Sequence, residues 1–136
     1  MSGITGFFHG GITVRDMDRS LEFYGAGLGL EVEFDRVADS PYLKEVLDLE
    51  FEQMRVVYLR IPKAPGSFVE LLEYRGVERR SAAASPCDYG GGHLCLYVDD
   101  VAGIHARMLD LGYTSRSEGT VAITAGPNVG ARGGKA

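Results

Sequence analysis

The sequence predicts an α+β fold made of two related modules, each a strand, a helix and further strands. Three observations carry that prediction. First, a passage is repeated: Phe8-His-Gly-Gly-Ile-Thr-Val-Arg-Asp16 and Gly92-His-Leu-Cys-Leu-Tyr-Val-Asp-Asp100 both open an alternating run with a His. In each, a Val follows five residues after the His and an Asp seven residues after it. Second, each Asp leads into a helical pattern that closes on Leu28-Gly-Leu30 or Leu111-Gly-Tyr113, 20 residues from His9 to Gly29 and 19 from His93 to Gly112. Third, the stretches flanking the first helical pattern alternate with the period of strands. The offset between the copies, about 84 residues, fits no common short-repeat solenoid.

In the first module, Phe8, Gly10, Ile12 and Val14 form one apolar face of a strand, while His9, Gly11 and Thr13 form a small, polar one. Asp16 or Asp18 caps the helix that follows. Met17, Leu21, Tyr24 and Leu28 fall at i, i+4, i+7 and i+11, a stripe suited to packing on a sheet. Gly25, Gly27 and Gly29 end that helix. Leu30 to Phe34 is expected as a second strand, Ser40 to Glu50 as an insertion with helical character, and Met54 to Ile61 as a third strand. A turn at Pro62 and Pro65-Gly66 leads to a fourth strand, Ser67 to Tyr74. Glu78 to Pro86 is rich in Arg, Ser and Ala and is expected to run over the surface. In the second module, Leu94, Leu96 and Val98 oppose His93, Cys95 and Tyr97 on a strand. Asp99 or Asp100 caps a helix striped by Val101, Ile104, Met108 and Leu111. A short strand between Ser115 and Thr124 and a loop from Gly126 to Gly134 close the chain. These readings divide it into a first module (1–76), a linker (77–87) and a second module (88–136).

Composition excludes several classes. The 136 residues suit one domain or two small modules sharing a core. A net charge of -5 and a pI near 5.1 argue against a sequence-independent nucleic-acid binder, which needs a basic footprint. Cys87 and Cys95 make no disulfide framework, so a reducing compartment is the default. The N-terminal residues lack the basic and apolar regions of a signal peptide, and no apolar run approaches the roughly 20 residues of a membrane span. A cytoplasmic protein with no nucleic-acid or membrane partner is expected.

The chemistry rests on three residues. A lone strand His is more often a satisfied structural residue, but His9 and His93 recur at equivalent places in the two modules. Pairing the modules about a pseudo-twofold axis would bring such positions together, and neutral imidazole is the commonest metal ligand. Glu70 lies in Phe68-Val-Glu-Leu-Leu72, where an ionised carboxylate amid apolar neighbours needs a cation or several hydrogen bonds. Glu73 faces the other way and is expected in solvent or at a strand end. Two imidazoles and a carboxylate suit a divalent Zn, Ni, Co, Mn or Fe. His105 is expected on the helix surface, and Cys95 as a small buried thiol. Gly90-Gly-Gly92 precedes no helix and is no phosphate loop. Tyr58, Tyr74, Tyr97, Met54 and Phe68 suit either a cleft wall or a core.

The His-x-x-Ile-x-Val-x-Asp pattern, Ser20-Leu-Glu-Phe-Tyr24, Leu28-Gly-Leu30 and a strand ending Glu70-Leu-Leu-Glu73 together resemble the vicinal oxygen chelate superfamily. That superfamily includes glyoxalase I, methylmalonyl-CoA epimerase, extradiol dioxygenases and the fosfomycin and bleomycin resistance proteins. The resemblance implies two βαβββ modules curling into an open, barrel-like mixed sheet with a central cleft around one divalent metal. It carries ligand roles onto His9, Glu70 and His93, and the role of catalytic base onto Glu70. The implied activity is glyoxalase- or epimerase-like: proton abstraction from a small oxygenated substrate, with stabilisation of the enediolate. An extradiol Fe(II) dioxygenase is one alternative, because the three residues are also a 2-His-1-carboxylate set. A ligand-sequestering protein like the bleomycin-binding members is another, to which the acidic charge is suited.

The fourth carboxylate of that pattern, on the last strand, has no counterpart: no acidic residue follows Glu118. The first module runs 44 residues from Leu30 to Tyr74, whereas 23 follow Tyr113. The second module is therefore expected to lack its last two strands, as a piece of a longer protein or as a natural short form. Its open strand edge suggests a homodimer. Weak metal binding and little isomerase activity are expected of this form.

Overall fold

The computed structural model describes residues 3–82 and 85–134, so residues 83 and 84 of the expected linker lie outside the described residues. The chain forms two compact units that part between Arg79 and Arg80.

The first unit is a four-stranded sheet with one face under a helix. Its elements are β1 (His9–Thr13), α1 (Met17–Leu21) continued by a π-helical segment (Glu22–Gly27), β2 (Glu31–Ala38), α2 (Pro41–Leu47), β3 (Gln53–Arg60) and β4 (Phe68–Arg75). The strand order is β1-β4-β3-β2, with β1 parallel to β4 and the other pairs antiparallel. This is the expected strand-helix-strand-strand-strand module, and α2 is the expected insertion, opened by Pro41 at its first turn. The structure is thus a mixed α+β fold whose main sheet is not closed into a barrel.

Asp16, not Asp18, caps α1: its Oδ1 accepts the Arg19 N–H at 3.0 Å. The stripe behaves as its spacing requires, since Met17, Leu21, Tyr24 and Leu28 all pack onto the sheet. The winding widens, however, and the Leu28 N–H donates to the Phe23 carbonyl at 3.1 Å. Gly25 and Gly27, poor helix formers, lie in that widened stretch. Gly29, at φ 79°, then reverses the chain, and the Leu30 N–H donates back to the Tyr24 carbonyl at 3.0 Å.

Alternation along the strands sorts side chains onto two faces. On the helix-covered face, Val57, Leu59, Val69 and Leu71 join Met17 and Leu30, with Ile12 and Val14 packed against them. Each such fully buried aliphatic contributes about 1.5–3 kcal/mol by leaving water. On the opposite face, Phe51, Met54, Val56 and Tyr74 form a second cluster, with Phe34, Leu43, Tyr58 and Leu72 against it. Phe8 departs from expectation: it precedes the first ladder residue and packs its ring on His9, Tyr58 and Phe68. Strand alternation does not bind a residue outside the strand.

Glu73 is also corrected. Its side chain is 12% exposed, and its Oε2 accepts the Met17 N–H at 2.6 Å, so it closes the N-terminus of α1 from the sheet. The helix-covered face holds an ionic group as well: Arg55 donates to both carboxylate oxygens of Asp35 and to Asp18 Oδ1.

In the second unit, α3 (Val101–Asp110) is capped by Asp100, whose Oδ1 accepts the Gly103 N–H at 2.9 Å. Met108 of its stripe is buried, and Gly112 at φ 84° ends it. The expected strand at His93–Val98 does not form; the segment has the alternating pattern but no ladder partner among the described residues. Cys95 is accordingly exposed rather than buried, and Tyr97 is exposed as well. The strand sought between Ser115 and Thr124 shrinks to β5 (Val121–Ala122), paired antiparallel with β6 (Arg132–Gly133) inside the stretch expected as loop. His105 is half-buried, and its Nε2 is enclosed without a hydrogen-bond partner among the described residues, contrary to the expected surface position. Among the described residues no helix is long and apolar enough to cross a membrane.

Candidate metal centre on the open face of the sheet

The parallel β1–β4 ladder sets Gly11 beside Glu70 and His9 beside Phe68. The antiparallel β3–β4 ladder sets Tyr58 on the other flank of Glu70, and β2 adds Phe34 beyond Tyr58. One row across four strands therefore reads Gly11, Glu70, Tyr58, Phe34, all on the face away from α1. His9 lies one row along on the same face.

Within that frame, His9 Nε2 stands 3.1 Å from Glu70 Oε2, with the two side chains 29% and 15% exposed. Two donors each about 2.1 Å from one cation and 3.1 Å apart would subtend an angle of about 95°. That value is close to the octahedral angle and within reach of the tetrahedral one. The spacing, the mixed nitrogen and oxygen chemistry and the partial shielding all fit two neighbouring positions of a divalent cation. Gly11 makes the arrangement sterically open: a Cβ added there would come within 3.2 Å of Glu70 Oε2. His9 Nδ1 is buried and has no hydrogen-bond partner among the described residues, which leaves Nε2 as the nitrogen engaged with the carboxylate.

Aromatic rings wall the pair. The Tyr58 ring centroid lies 5.2 Å from that of His9, 4.5 Å from Phe34, 5.5 Å from Phe8 and 5.8 Å from Phe68. The Tyr58 hydroxyl is pushed above its ordinary pKa, first by burial, then by the negative charge of Glu70 and by hydrogen bonding to that carboxylate, with Arg36 opposing. Burial and the Glu70 charge push Tyr74 the same way. Tyr58 was legible in the sequence only as wall or core; its relation to Glu70 follows from cross-strand register.

Of the three candidate ligands, His9 and Glu70 thus meet in the first unit. His93 is an exposed residue of the second unit, in the segment without a ladder among the described residues. Among the described residues no three His, Cys, Asp or Glu side chains gather as a metal-binding group.

Comparisons with known proteins agree with the fold and with the resemblance. A 2-epi-5-epi-valiolone epimerase from an Actinomyces species is 30% identical over 102 residues, which are 73% of this chain and 55% of the relative. The chain thus spans about half the length of that curated relative. Among solved structures, a glyoxalase family protein from Bacillus cereus matches with a TM-score of 0.64 at 16% identity, covering 86% of this chain and 78% of the other. The trypanothione-dependent glyoxalase I of Leishmania major matches with a TM-score of 0.60 at 26% identity, covering 88% and 79%. Residues 8–133 match the family model of the Glyoxalase/Bleomycin resistance protein/Dioxygenase superfamily, and the chain belongs to that superfamily.

Proposed function

We propose that this protein is a metal-dependent enzyme of the glyoxalase or epimerase type. In this reading it removes a carbon-bound proton from a small oxygenated substrate and stabilises the enediolate that results. The observation that carries the reading is the His9–Glu70 pair, a nitrogen and an oxygen donor 3.1 Å apart on the face of the sheet away from α1. The epimerase relative at 30% identity and the glyoxalase I likeness at 26% support the same class.

His9 and Glu70 would hold the cation, with the remaining positions open to water or substrate oxygens. A bound divalent cation supplies Lewis-acid stabilisation of the oxyanion charge that develops as the proton leaves. Glu70 is the proton acceptor: its side chain is 15% exposed and flanked by Tyr58 on β3, which limits competing solvent. With one carboxylate oxygen on the cation, the other would be free to face the carbon acid. We further take the protein to be a cytoplasmic homodimer, an assembly suited to β2, an edge strand with Val32 and Val37 both about half exposed.

Calorimetric titration with Zn, Ni, Co and Mn, beside NMR detection of deuterium uptake from D2O, tests the reading. The substrates are a glyoxalase hemithioacetal and 2-epi-5-epi-valiolone. His9→Ala and Glu70→Gln should each weaken metal binding at least about tenfold, and Glu70→Gln should reduce exchange to a residual level. Metal uptake unchanged in both variants, or exchange at the parent rate in Glu70→Gln, would overturn it.

A further inference from the structure

We propose that Tyr58 is a positioning residue for Glu70, its hydroxyl fixing the carboxylate that His9 holds from the other side. This inference rests on the reading of Glu70 as the proton acceptor.

Tyr58 is the side chain that meets both members of the pair. Register sets it directly across from Glu70 on the neighbouring strand, and its ring lies 5.2 Å from the imidazole of His9. Side chains of directly opposed residues on one face stand close enough for such contact. The ring itself has little freedom. Phe34 meets it edge-on at 4.5 Å, Phe8 edge-on at 5.5 Å, and Phe68 stacks on it at 5.8 Å. Those neighbours come from β2, from the residue before β1, and from β4, so a change in any one strand leaves the ring held by the others. A ring so clamped aims its hydroxyl in a fixed direction, along the row that holds Glu70.

Glu70 is thereby bounded on three sides. His9 Nε2 meets Oε2 at 3.1 Å, Gly11 leaves no more than the room of a missing Cβ, and Tyr58 flanks the carboxylate from β3. The aliphatic part of Glu70 has three rotatable bonds, and without these contacts its head would sample several positions. Catalytic groups need placement within about 0.5 Å, and hydrogen bonds from outside the reacting set supply it. Tyr58 thus acts through Glu70 and not on substrate.

Tyr58→Phe keeps the ring and its four aromatic neighbours and deletes only the hydroxyl. In the deuterium-exchange assay it should lower kcat by about 10- to 100-fold, the range for groups that orient a ligand through a hydrogen bond, with KM changed by less than about twofold. The urea midpoint should be unchanged. In metal-free protein the 13C resonance of the Glu70 carboxyl carbon should move in Tyr58→Phe. In a Glu70→Gln background the further Tyr58→Phe change should have no additional effect on residual exchange. Normal kcat with an unmoved Glu70 resonance overturns the inference. So does an equal loss from Tyr58→Phe in both backgrounds, which would mean independent action. Full exchange activity in Glu70→Gln alone would instead sink the proton-acceptor reading and this inference with it. An inactive Glu70→Gln beside a normal Tyr58→Phe would sink only the role of Tyr58.

Discussion

Glu70 and Glu73 lie three residues apart on β4 and face opposite ways, so substituting them should produce separable defects. Glu73 accepts the Met17 N–H at 2.6 Å and the Arg75 Nε–H at 3.0 Å, and its side chain is 12% exposed. Met17 itself has no exposed surface, so its N–H is shielded from water in the folded parent. A hydrogen bond to a charged group contributes about 1.5–3 kcal/mol, and a buried orphan donor costs about 1–3 kcal/mol. These overlap, because they describe the same loss, as does the favourable helix N-terminus of about 0.3–1 kcal/mol. We therefore expect Glu73→Ala to cost about 2–3 kcal/mol, and Glu73→Gln, which keeps an acceptor oxygen but no charge, about half as much. With a urea slope of about 1–2 kcal/mol/M, Glu73→Ala should lower the midpoint of the first unit by about 1–3 M. Far-ultraviolet circular dichroism in urea measures this, and calorimetric titration of the folded variants measures metal uptake. Glu70→Gln should do the reverse, with stability within about 1 kcal/mol of the parent and metal uptake lost. The reasoning fails if Glu73→Ala stays within about 0.5 kcal/mol of the parent, the level of an ordinary surface change. It fails equally if Glu73→Ala weakens metal binding as much as Glu70→Gln does.

Gly11→Ala should leave the fold intact, since Gly11 is not among the residues at positive φ, but its Cβ would crowd Glu70 Oε2 at 3.2 Å. A displacement of a few tenths of an ångström approaches the tolerance of about 0.5 Å for a functional group, so metal affinity should fall about tenfold by calorimetry. Unchanged affinity would count against the site. For pH dependence, the Arg55 hydrogen bonds hold the Asp35 carboxyl below its ordinary range. A depressed folded pKa stabilises the protein above the unfolded value, about 3.9, and the contribution is lost as pH falls through the folded value. Asp35 is 34% exposed. Solvent screening therefore limits the contribution to about 0.5–1 kcal/mol. Urea midpoints measured from about pH 6 down to about pH 3 should fall less steeply in Asp35→Asn than in the parent, and parallel curves would refute the assignment.

What was legible in the sequence was what depends on neighbours along the chain. The repeated Asp and Leu-Gly signals encode the same two caps in both units. Asp16 and Asp100 each accept from the N–H three residues on, and Gly29 and Gly112 turn the chain at φ 79° and 84°. Alternation likewise set His9 opposite the apolar face of its own strand and Glu70 opposite Glu73 on β4. What alternation leaves open is what each face meets. Glu73 finds a helix N-terminus 56 residues away, a contact that no local pattern announces. The segment His93–Val98 carries nearly the same pattern as β1, yet it has no ladder among the described residues. A strand is completed by its partner: β1 exists because β4 offers it five parallel register positions, from His9 opposite Phe68 to Thr13 opposite Leu72. The same pairing brings His9 to Glu70, whose donors are far apart in sequence and 3.1 Å apart in space. The repeat thus encodes two equivalent helices and two candidate histidines. In the first unit the ladder that forms β1 also supplies the histidine with its carboxylate, so strand pairing and donor pairing there are a single event.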